Sequence, residues 1–481
     1  MSYPWWHVPF LTAPMLIALI ATVHVLVSHY AVGGGLFLAV ETSHAYKHND
    51  EGYLAYLKQH AWFFVLLTVV FGAITGVGIW WIIGLASPLA THFLIQTFVF
   101  GWATEWVFFV IELAAGFAFY YFWGKLDRRT HVAMGWIYAA AAWISLVLIT
   151  GITAFMLDPG QWPETHNFWH GFFNPQFLPQ VLARTGAAFL LASMYVYFHA
   201  SFKCQDTDLL RYIERRSSRP AMLGSALVAS GGLWWYLLLP ASSKAALQGA
   251  AVINVLMVIM FTLTIVVFAL LYIGPYRNPG WLSPGFAIMF LGFGLAATAT
   301  GEYIREAVRK PYIVYNLVLG NQVLAEKVPL LRENGFIEGT RWPSAWLAAR
   351  HPQLVTTHPD GSLTVDEQGM LALPKYDRVE IGEVLFMYHC NDCHAERSGV
   401  NAMEHLLTGW SREMVATSVR HPEKLKYFMP PWSGTDAEAE ILTDYLMDMR
   451  PEMPEGMFFG GRHDSLSDVQ AMIGNTVEEA R

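Results

Sequence analysis

Long apolar stretches alternate with short polar loops over roughly the first 310 residues of the chain. A helix needs about 20 apolar residues to cross the hydrocarbon core of a bilayer. Eight stretches reach that length, and strand-like alternation is absent from them, so we predict eight membrane-spanning helices. They cover approximately residues 9–42, 60–85, 93–123, 130–156, 178–203, 218–240, 247–273 and 285–307.

The loops between these stretches differ in basic charge. The loops after the first, third, fifth and seventh stretches together carry eleven Lys and Arg residues, whereas the three intervening loops carry only Lys244. Basic loops of membrane proteins stay in the cytoplasm. We therefore predict a multi-pass protein of the bacterial inner membrane, with both termini and the C-terminal tail on the periplasmic side.

Beyond residue 310 the composition becomes that of a water-exposed domain. Residues 1–310 hold 16 basic and 13 acidic side chains, whereas residues 311–481 hold 14 basic and 25 acidic ones. No basic face is available for nucleic acid, and three cysteines do not build a disulfide scaffold. We predict an all-α protein in three parts: a membrane domain (1–310), a periplasmic connector (311–375) and a C-terminal domain with its tail (376–481).

The tail contains the motif C-x-x-C-H at Cys390, Cys393 and His394. Two thiols at this spacing form thioethers with the vinyl groups of haem, and the adjacent histidine ligates the iron. A C-x-x-C pair alone is also compatible with a redox dithiol or half of a zinc site. The immediate histidine, and the lack of a second such pair in the sequence, favour haem c. Haem c is attached outside the cytoplasm, which agrees with the predicted topology.

A second axial ligand is expected downstream of the motif. Met429 lies 35 residues after His394, stands before two prolines and is followed by a helical pattern over 437–449. Residues 375–450 resemble class I cytochromes c, in which such a methionine closes the haem pocket and the final helix packs on the first. A His/Met pair raises the haem potential and suits electron transfer. The alternative ligands are Met403, Met414, His405 and His421.

Ionisable side chains within membrane spans are costly and are therefore functional candidates. His24 lies midway along the first span, and we predict that it ligates a haem in the membrane. Glu105 and Glu112 are seven residues apart in the third span, on one helical face, where two carboxyl groups can relay protons. The alternative is that protonation or polar neighbours merely neutralise this pair.

Charged residues also mark the end of the eighth span. Glu302, Glu306 and Arg309 fall on adjacent turns. A carboxylate there can ligate iron, and an arginine can hold haem propionates through paired hydrogen bonds. An ordinary charged rim, where the helix leaves the membrane, is the alternative interpretation.

Over residues 9–312 the chain resembles subunit I of cytochrome bd quinol oxidases. The segment Glu306-x-x-Arg309-Lys310-Pro311-Tyr312 is similar to the Gly-Arg-Gln-Pro-Trp signature of that family. The resemblance implies that His24 ligates the oxygen-binding haem and Glu306 the high-spin haem b, with Arg309 beside it. It implies that Glu112 is the inner proton-path glutamate and that Glu105 stands near the outer one. The other segments that carry the resemblance are 21–33, 72–76, 112–131 and 156–159.

Three departures from this family concern electron entry. The histidine ligand of the low-spin haem is missing from the fifth span, which has Arg184 in that region, and Met257 stands alone in the seventh. Arg184 could fill the emptied position, meet a propionate of another haem, or only pack. The quinol-binding loop has shrunk to about 240–246, and the tail replaces the family's ninth span.

These features together predict a cytochrome bd-like oxidase subunit. A periplasmic donor, such as a soluble cytochrome c, would pass electrons to one haem c and on to membrane haems of type b or d, two in number, that reduce oxygen to water. The acidic tail suits a basic donor or only keeps the domain soluble. A second membrane subunit is expected by analogy. The alternative function is an electron-transfer subunit without oxygen chemistry, in which His29, His60 or Met257 would close the haem sites.

Overall fold

The computed structural model describes residues 6–249 and 251–450. The described chain is helical apart from two short antiparallel hairpins. It divides into two compact units. The membrane unit contains residues 19–80 and 94–308. The second unit, named the outer unit after the predicted location of its C-terminal tail, contains residues 6–18, 81–93 and 309–450.

Seven segments of the described chain are long and apolar enough to cross a membrane. A further helix pair, Thr207–Leu237 with Ala241–Gly249, passes the same test but is bent by 107°. The predicted all-α fold and multi-pass membrane part are therefore confirmed, with seven or eight spans. The seven are Ala13–His48, Glu51–Ala86, Val99–Tyr121, Arg128–Phe155, Phe177–Lys203, Val252–Tyr276 and Pro284–Ala307.

The helices of this part of the chain are numbered in chain order. Two stretches, Val65–Phe71 and Tyr272–Tyr276, are π-helical. The α-helices are α1 (Ala13–His48), α2 (Glu51–Phe64), α3 (Gly72–Ala86), α4 (Pro88–Thr97), α5 (Val99–Tyr121), α6 (Arg128–Phe155), α7 (Trp162–Thr165), α8 (Phe168–Phe172), α9 (Phe177–Lys203), α10 (Thr207–Leu237), α11 (Ala241–Gly249), α12 (Ala251–Leu271) and α13 (Pro284–Ala307).

Small residues let the helices of the membrane unit approach closely. A Cβ on Gly186 of α9 would lie 2.6 Å from the Gly224 carbonyl oxygen of α10, and the reverse distance is also 2.6 Å. A Cβ on Gly33 of α1 would lie 2.0 Å from the Ala188 carbonyl oxygen of α9. Without a hydrophobic drive between helices in lipid, such backbone contact supplies the packing energy. It fixes α9 against both neighbours.

From residue 312 onward, the outer unit consists of short elements. Residues Ala325–Lys327 and Pro352–Leu354 form 3-10 turns. The others are β1 (Tyr312–Val314), β2 (Val318–Leu319), α14 (Val328–Asn334), α15 (Arg341–Arg350), β3 (Val355–Thr357), β4 (Leu363–Val365), α16 (Glu367–Ala372), α17 (Lys375–His389), α18 (Met403–Leu406), α19 (Arg412–Arg420), α20 (Pro422–Leu425) and α21 (Asp436–Met449).

One hydrophobic core joins the connector to the C-terminal helices. Phe336 and Leu347 of the connector are fully buried in the same cluster as Leu385 of α17 and Ile441 of α21. Glu438 of α21 reinforces the junction, since its carboxylate accepts hydrogen bonds from the backbone N–H groups of Phe336 (2.8 Å) and Ile337 (2.7 Å). The connector is thus part of a packed body rather than an independent spacer.

Candidate functional site

His24 lies on α1 and faces the third helix of the membrane unit. Its Nδ1 is 3.1 Å from Oγ1 of Thr75, and that hydroxyl donates to the carbonyl oxygens of Phe71 and Gly72 at 3.0 Å. Because the hydroxyl hydrogen is used in this way, the Thr75 oxygen accepts a hydrogen bond from Nδ1–H of His24. This arrangement leaves Nε2 as the lone-pair atom, as a histidine ligand requires. A Cβ on Gly76 would lie 3.1 Å from the His24 ring, so the glycine leaves room for it.

A series of charged and polar groups connects His24 to the end of α13. His29 is buried and interacts electrostatically with His24, Arg184 and Glu302. Glu302 forms an ion pair with Arg305, whose Nε lies 2.9 Å from Oε2. Spans one, five and eight thus meet in one polar cluster within the membrane unit.

Glu306 belongs to the same cluster through its electrostatic interaction with Arg305. The two predicted membrane ligands, His24 and Glu306, are therefore connected through interacting side chains. Arg309 lies just beyond α13 in the outer unit, where its buried side chain donates to the Ile313 carbonyl oxygen at 3.0 Å.

Arg184 takes part in this cluster through its electrostatic interaction with Glu302. The histidine of α9, His199, is instead near the far end of that helix, where its ring lies 4.9 Å from that of His60. The Nε2 atom of His60 in turn lies 3.1 Å from the Tyr30 hydroxyl oxygen. These two histidines thus pair with each other and with tyrosine.

Met257 of α12 packs against an apolar cluster that includes Ile304 and Val308 near the end of α13. Met260, which the sequence did not single out, has its sulfur 3.5 Å from where a Cβ on Gly301 would stand, next to Glu302. Met260 follows Met257 by three residues, which places both on one face of α12, and this spacing was the signal in the sequence that could have identified Met260.

The two glutamates of α5 face one helix, as their spacing of seven predicted. Glu105 accepts a hydrogen bond from Ser145 at 2.8 Å, and Glu112 accepts one from Tyr138 at 2.8 Å. Both donors lie on α6 and are also seven residues apart. Ser145 and Tyr138 are partners that the analysis of single spans missed, because the pairing of two helices is not visible within one.

The C-x-x-C-H motif follows directly on α17. Cys390 and Cys393 are both free thiols, and burial raises the pKa of each to about 12. His394 Nδ1 lies 3.0 Å from the Asn401 carbonyl oxygen and donates to it, which leaves Nε2 for a metal. Asn401 also donates to the Cys393 carbonyl oxygen at 3.3 Å and holds the loop.

The candidate axial ligands beyond the motif differ in exposure. Met429 is half-buried and follows the exposed side chains of Tyr427 and Phe428. Met414 is 2% exposed and lies in the interior of the unit. Met403 packs against the core, His405 is exposed and His421 is half-buried. A half-buried thioether that follows two exposed aromatic side chains is compatible with a place on a porphyrin face, so Met429 stays the predicted ligand.

His389, which the sequence analysis did not use, precedes the motif. Its ring lies between Phe336 and Trp432, with centroid distances of 4.3 and 4.4 Å. Burial lowers the pKa of His389 to about 3, so it is neutral at physiological pH.

Comparison with known proteins bears on the membrane part of the chain. Residues 13–234, a little under half of the chain, match the family model of cytochrome bd terminal oxidase subunit I. None of the curated proteins matches the chain. Among solved structures, the bd oxidase from Geobacillus thermodenitrificans is similar, with a TM-score of 0.55 and 18% sequence identity. The alignment covers 64% of this chain and 88% of that one.

The structural similarity establishes a bd-oxidase-like fold. The family match implies a haem-containing oxidoreductase of electron transport. It lies within the membrane part and does not reach the C-x-x-C-H motif.

Proposed function

We propose that this chain is the haem-bearing subunit of a cytochrome bd-like membrane oxidase that moves electrons from a periplasmic donor to oxygen. The observation that supports this most is the cluster in which His24 and Glu306, the predicted ligands of two membrane haems, are joined through His29, Glu302 and Arg305. Membrane haems of b or d type and one haem c would supply the one-electron transfers and the reduction of oxygen to water.

Each haem has residues suited to hold it. In the membrane, His24 Nε2 and the Glu306 carboxylate are the proposed iron ligands, and Met257 lies in the apolar cluster near the end of α13. Arg309 is proposed to hold a propionate. In the tail, Cys390 and Cys393 would form the thioethers, while His394 Nε2 and the Met429 sulfur would ligate the iron.

The charge balance of the polar cluster supports haem in the membrane. Arg184 and Arg305 carry two positive charges against the carboxylates of Glu302 and Glu306. A carboxylate that ligates iron gives part of its charge to the metal, so one guanidinium needs another anion. A haem propionate has that charge and the geometry for a bidentate arginine contact.

Glu112 and Glu105 are proposed to carry protons from the cytoplasm into the membrane part of the protein. The Tyr138 and Ser145 hydroxyl groups donate to the two carboxylates and hold them on the α6 side of α5. Each carboxyl can then accept and release a proton without moving its backbone. The seven-residue step between them is about 10 Å along the helix, so water molecules would bridge the gap.

The proposed partners follow from the topology. A small basic protein such as a soluble cytochrome c would dock on the acidic tail in the periplasm, and a second membrane subunit would cover part of the helical bundle. Both termini would lie outside the cytoplasm.

His29 favours a second candidate function, electron transfer without oxygen chemistry. It lies in the same cluster as His24, and its Nδ1 donates to the Val25 carbonyl oxygen at 2.8 Å. Nε2 is therefore the atom available as a ligand to a membrane haem, and a haem iron with two axial protein ligands would leave no position for oxygen.

Oxygen uptake by the purified protein tests the proposal. With reduced cytochrome c as donor, the wild-type protein should consume oxygen and bind carbon monoxide in difference spectra. His24→Ala should abolish both, and Glu112→Gln should lower uptake at least tenfold with the haem spectrum unchanged. His48→Ala, on the exposed end of the same helix, is the matched control. Fully loaded protein that neither consumes oxygen nor binds carbon monoxide would support the electron-transfer alternative instead.

A further inference from the structure

Three ligand-type side chains converge in the outer unit at a place that the proposed electron path does not use. They are His351, directly after α15, and Asp377 and Glu380 on α17. One ligand atom from each lies within 4.8 Å of the others. Glu380 precedes Cys390 by ten residues, about 15 Å along the helix, so the cluster is separate from the C-x-x-C-H motif.

A buried nitrogen of the His351 ring indicates that this cluster binds an ion. Its side chain is 7% exposed, and Nε2 is buried without a hydrogen-bond partner among the described residues. The Glu380 Oε2 atom lies 3.7 Å from Nε2, which is too far for a hydrogen bond. Buried polar nitrogens are nearly always satisfied in folded proteins.

From this geometry we infer that His351, Asp377 and Glu380 bind a divalent transition-metal ion of the Zn²⁺ class. Zinc takes imidazole nitrogen and carboxylate oxygen at about 2.0–2.2 Å, which sets neighbouring ligand atoms about 3.4 Å apart in a tetrahedron. The 3.7 Å gap between Nε2 and Oε2 is close to that spacing. Water would take the fourth position.

Arg350 is the positioning residue of the site. Its Nε donates to Glu380 Oε1 at 2.8 Å, which orients Oε2 toward His351. Outer partners of this kind fix metal-ligating carboxylates. Two carboxylates and one guanidinium leave a net charge of −1, which attracts a divalent cation.

The site would join two segments that are far apart in sequence. His351 directly follows the connector helix α15, whereas Asp377 and Glu380 lie on the helix that leads into the C-x-x-C-H motif. An ion that binds only the folded state stabilises it by an amount that rises with the logarithm of the ion concentration above the Kd. The metal would therefore hold the connector against the helix that presents the predicted haem c.

Zinc binding by the full-length, haem-loaded protein in detergent tests this inference. The protein is treated with a chelator, given ZnCl₂ and passed over a desalting column, and metals are measured by mass spectrometry. One zinc per chain beyond the haem iron, with a raised melting temperature, is expected. Asp377→Asn, Glu380→Gln and His351→Gln should each weaken zinc binding at least tenfold, and Asp360→Asn, an exposed carboxylate outside the cluster, should not.

Two results would overturn the inference. One is zinc binding that survives unweakened in all three cluster variants, because the ion would then occupy another site. The other is wild-type protein that holds no stoichiometric zinc and melts at the same temperature with and without it. Melting of the variants in chelator at the wild-type temperature shows that they fold. Since oxygen uptake is not measured, failure here is distinguishable from failure of the proposed oxidase function.

Discussion

At the scale of single residues, the two histidines that we predict to ligate haem iron, one in the membrane and one in the tail, are oriented in the same way. His24 uses Nδ1 toward the Thr75 hydroxyl, and His394 uses Nδ1 toward the Asn401 carbonyl oxygen. In each case the hydrogen bond selects the tautomer and leaves Nε2 for a metal. His131 differs, because Nδ1 faces the Tyr46 hydroxyl and Nε2 faces the Phe119 carbonyl oxygen, both at 2.9 Å. It is therefore a structural histidine.

Glu302 is the residue whose loss should destabilise the membrane unit most. Its ion pair with Arg305 is about four-fifths buried, and Arg184 depends on the same carboxylate. Glu302→Gln leaves two guanidinium groups with less compensation, so the expected loss is about 3–5 kcal/mol, the usual cost of breaking a buried pair. Thermal unfolding in one detergent measures it.

The matched control for this prediction is Glu51→Gln. Glu51 pairs with Arg128 at 3.8 Å, and the two side chains are 77% and 54% exposed. Water already solvates this pair, so the melting temperature should hardly change. Equal melting temperatures of the two variants would contradict a stabilising role for the buried cluster.

At the scale of secondary-structure elements, the C-terminal region depends on the contact between α17 and α21. A Cβ on Gly382 of α17 would lie 2.5 Å from Tyr445 Cβ and 2.7 Å from the Ile441 carbonyl oxygen. The rings of Phe386 and Tyr445 meet beside this contact at 5.5 Å. The final helix therefore packs on the first, as the resemblance to class I cytochromes c led us to expect, while the covalent haem stays a prediction.

Gly382→Ala should separate these two helices. The added methyl group meets backbone and Cβ atoms that cannot rotate away, so we expect a loss of about 1–3 kcal/mol. The same substitution at Gly84 of α3, where nothing lies within 4 Å of a Cβ, should be neutral or stabilising. Calorimetric unfolding measures both variants, and a Gly382→Ala protein as stable as Gly84→Ala would refute the tight crossing.

Glu438 should make the stability of the outer unit depend on pH. Burial raises the pKa of this carboxyl from 4.5 to about 7, although three backbone N–H groups oppose the shift. Because the folded state binds the proton more tightly, the residue's contribution is complete below about pH 4.5. It falls as the pH rises to about 7 and is constant above that. At about 1.36 kcal/mol per pH unit, the total change is about 3 kcal/mol.

The variant Glu438→Gln isolates this effect, because the amide does not titrate. Its melting temperature, measured by scanning calorimetry from pH 4.5 to 7.5, should lack the part of the slope that Glu438 contributes. Glu326→Gln removes an exposed carboxylate of the connector and should keep the wild-type slope. Identical slopes in the wild type and Glu438→Gln would show that the carboxyl does not titrate in this range.

At the scale of the whole molecule, the chain combines a bd-oxidase-like bundle with a second packed unit that contains residues from both ends of the described chain. Gln322 illustrates how the outer unit is built, since its side-chain oxygen accepts from the backbone N–H groups of Leu89 and Ala90, and its amide donates to Ser87. A connector side chain thus caps the first turn of α4. Such a contact, across more than 230 residues, has no local signal in the sequence.

The predicted orientation is testable with the natural cysteine at the end of α9. Cys204 follows Lys203 in a basic loop that we place in the cytoplasm. A membrane-impermeant maleimide added to intact cells should leave Cys204 unlabelled and should label a cysteine introduced by Asp360→Cys, an exposed position in the outer unit. Peptide mass spectrometry distinguishes the two sites. Labelling of Cys204 in intact cells, with Asp360→Cys protected, would invert the topology.

The sequence by itself determined the approximate positions of seven spans, the basic loops and the C-x-x-C-H motif, while the eighth predicted span is a bent helix pair in the structure. These are local properties, because hydropathy and motif spacing are written in consecutive residues. It also placed Glu105 and Glu112 on one face, since a period of 3.6 residues fixes that relation within one helix. The sequence did not determine which side chains of other helices these residues contact.

The tertiary structure alone decided those partners. Each of these contacts joins segments that are distant in the chain. They are the contacts of Thr75 with His24, of Tyr138 with Glu112, of Glu302 with both arginines, and of His351 with Asp377 and Glu380. Their meeting depends on how closely helices pack, which glycines such as Gly33, Gly186 and Gly382 control through backbone contact. Such distances arise from the packing of whole elements and cannot be deduced from the periodicity of any one of them.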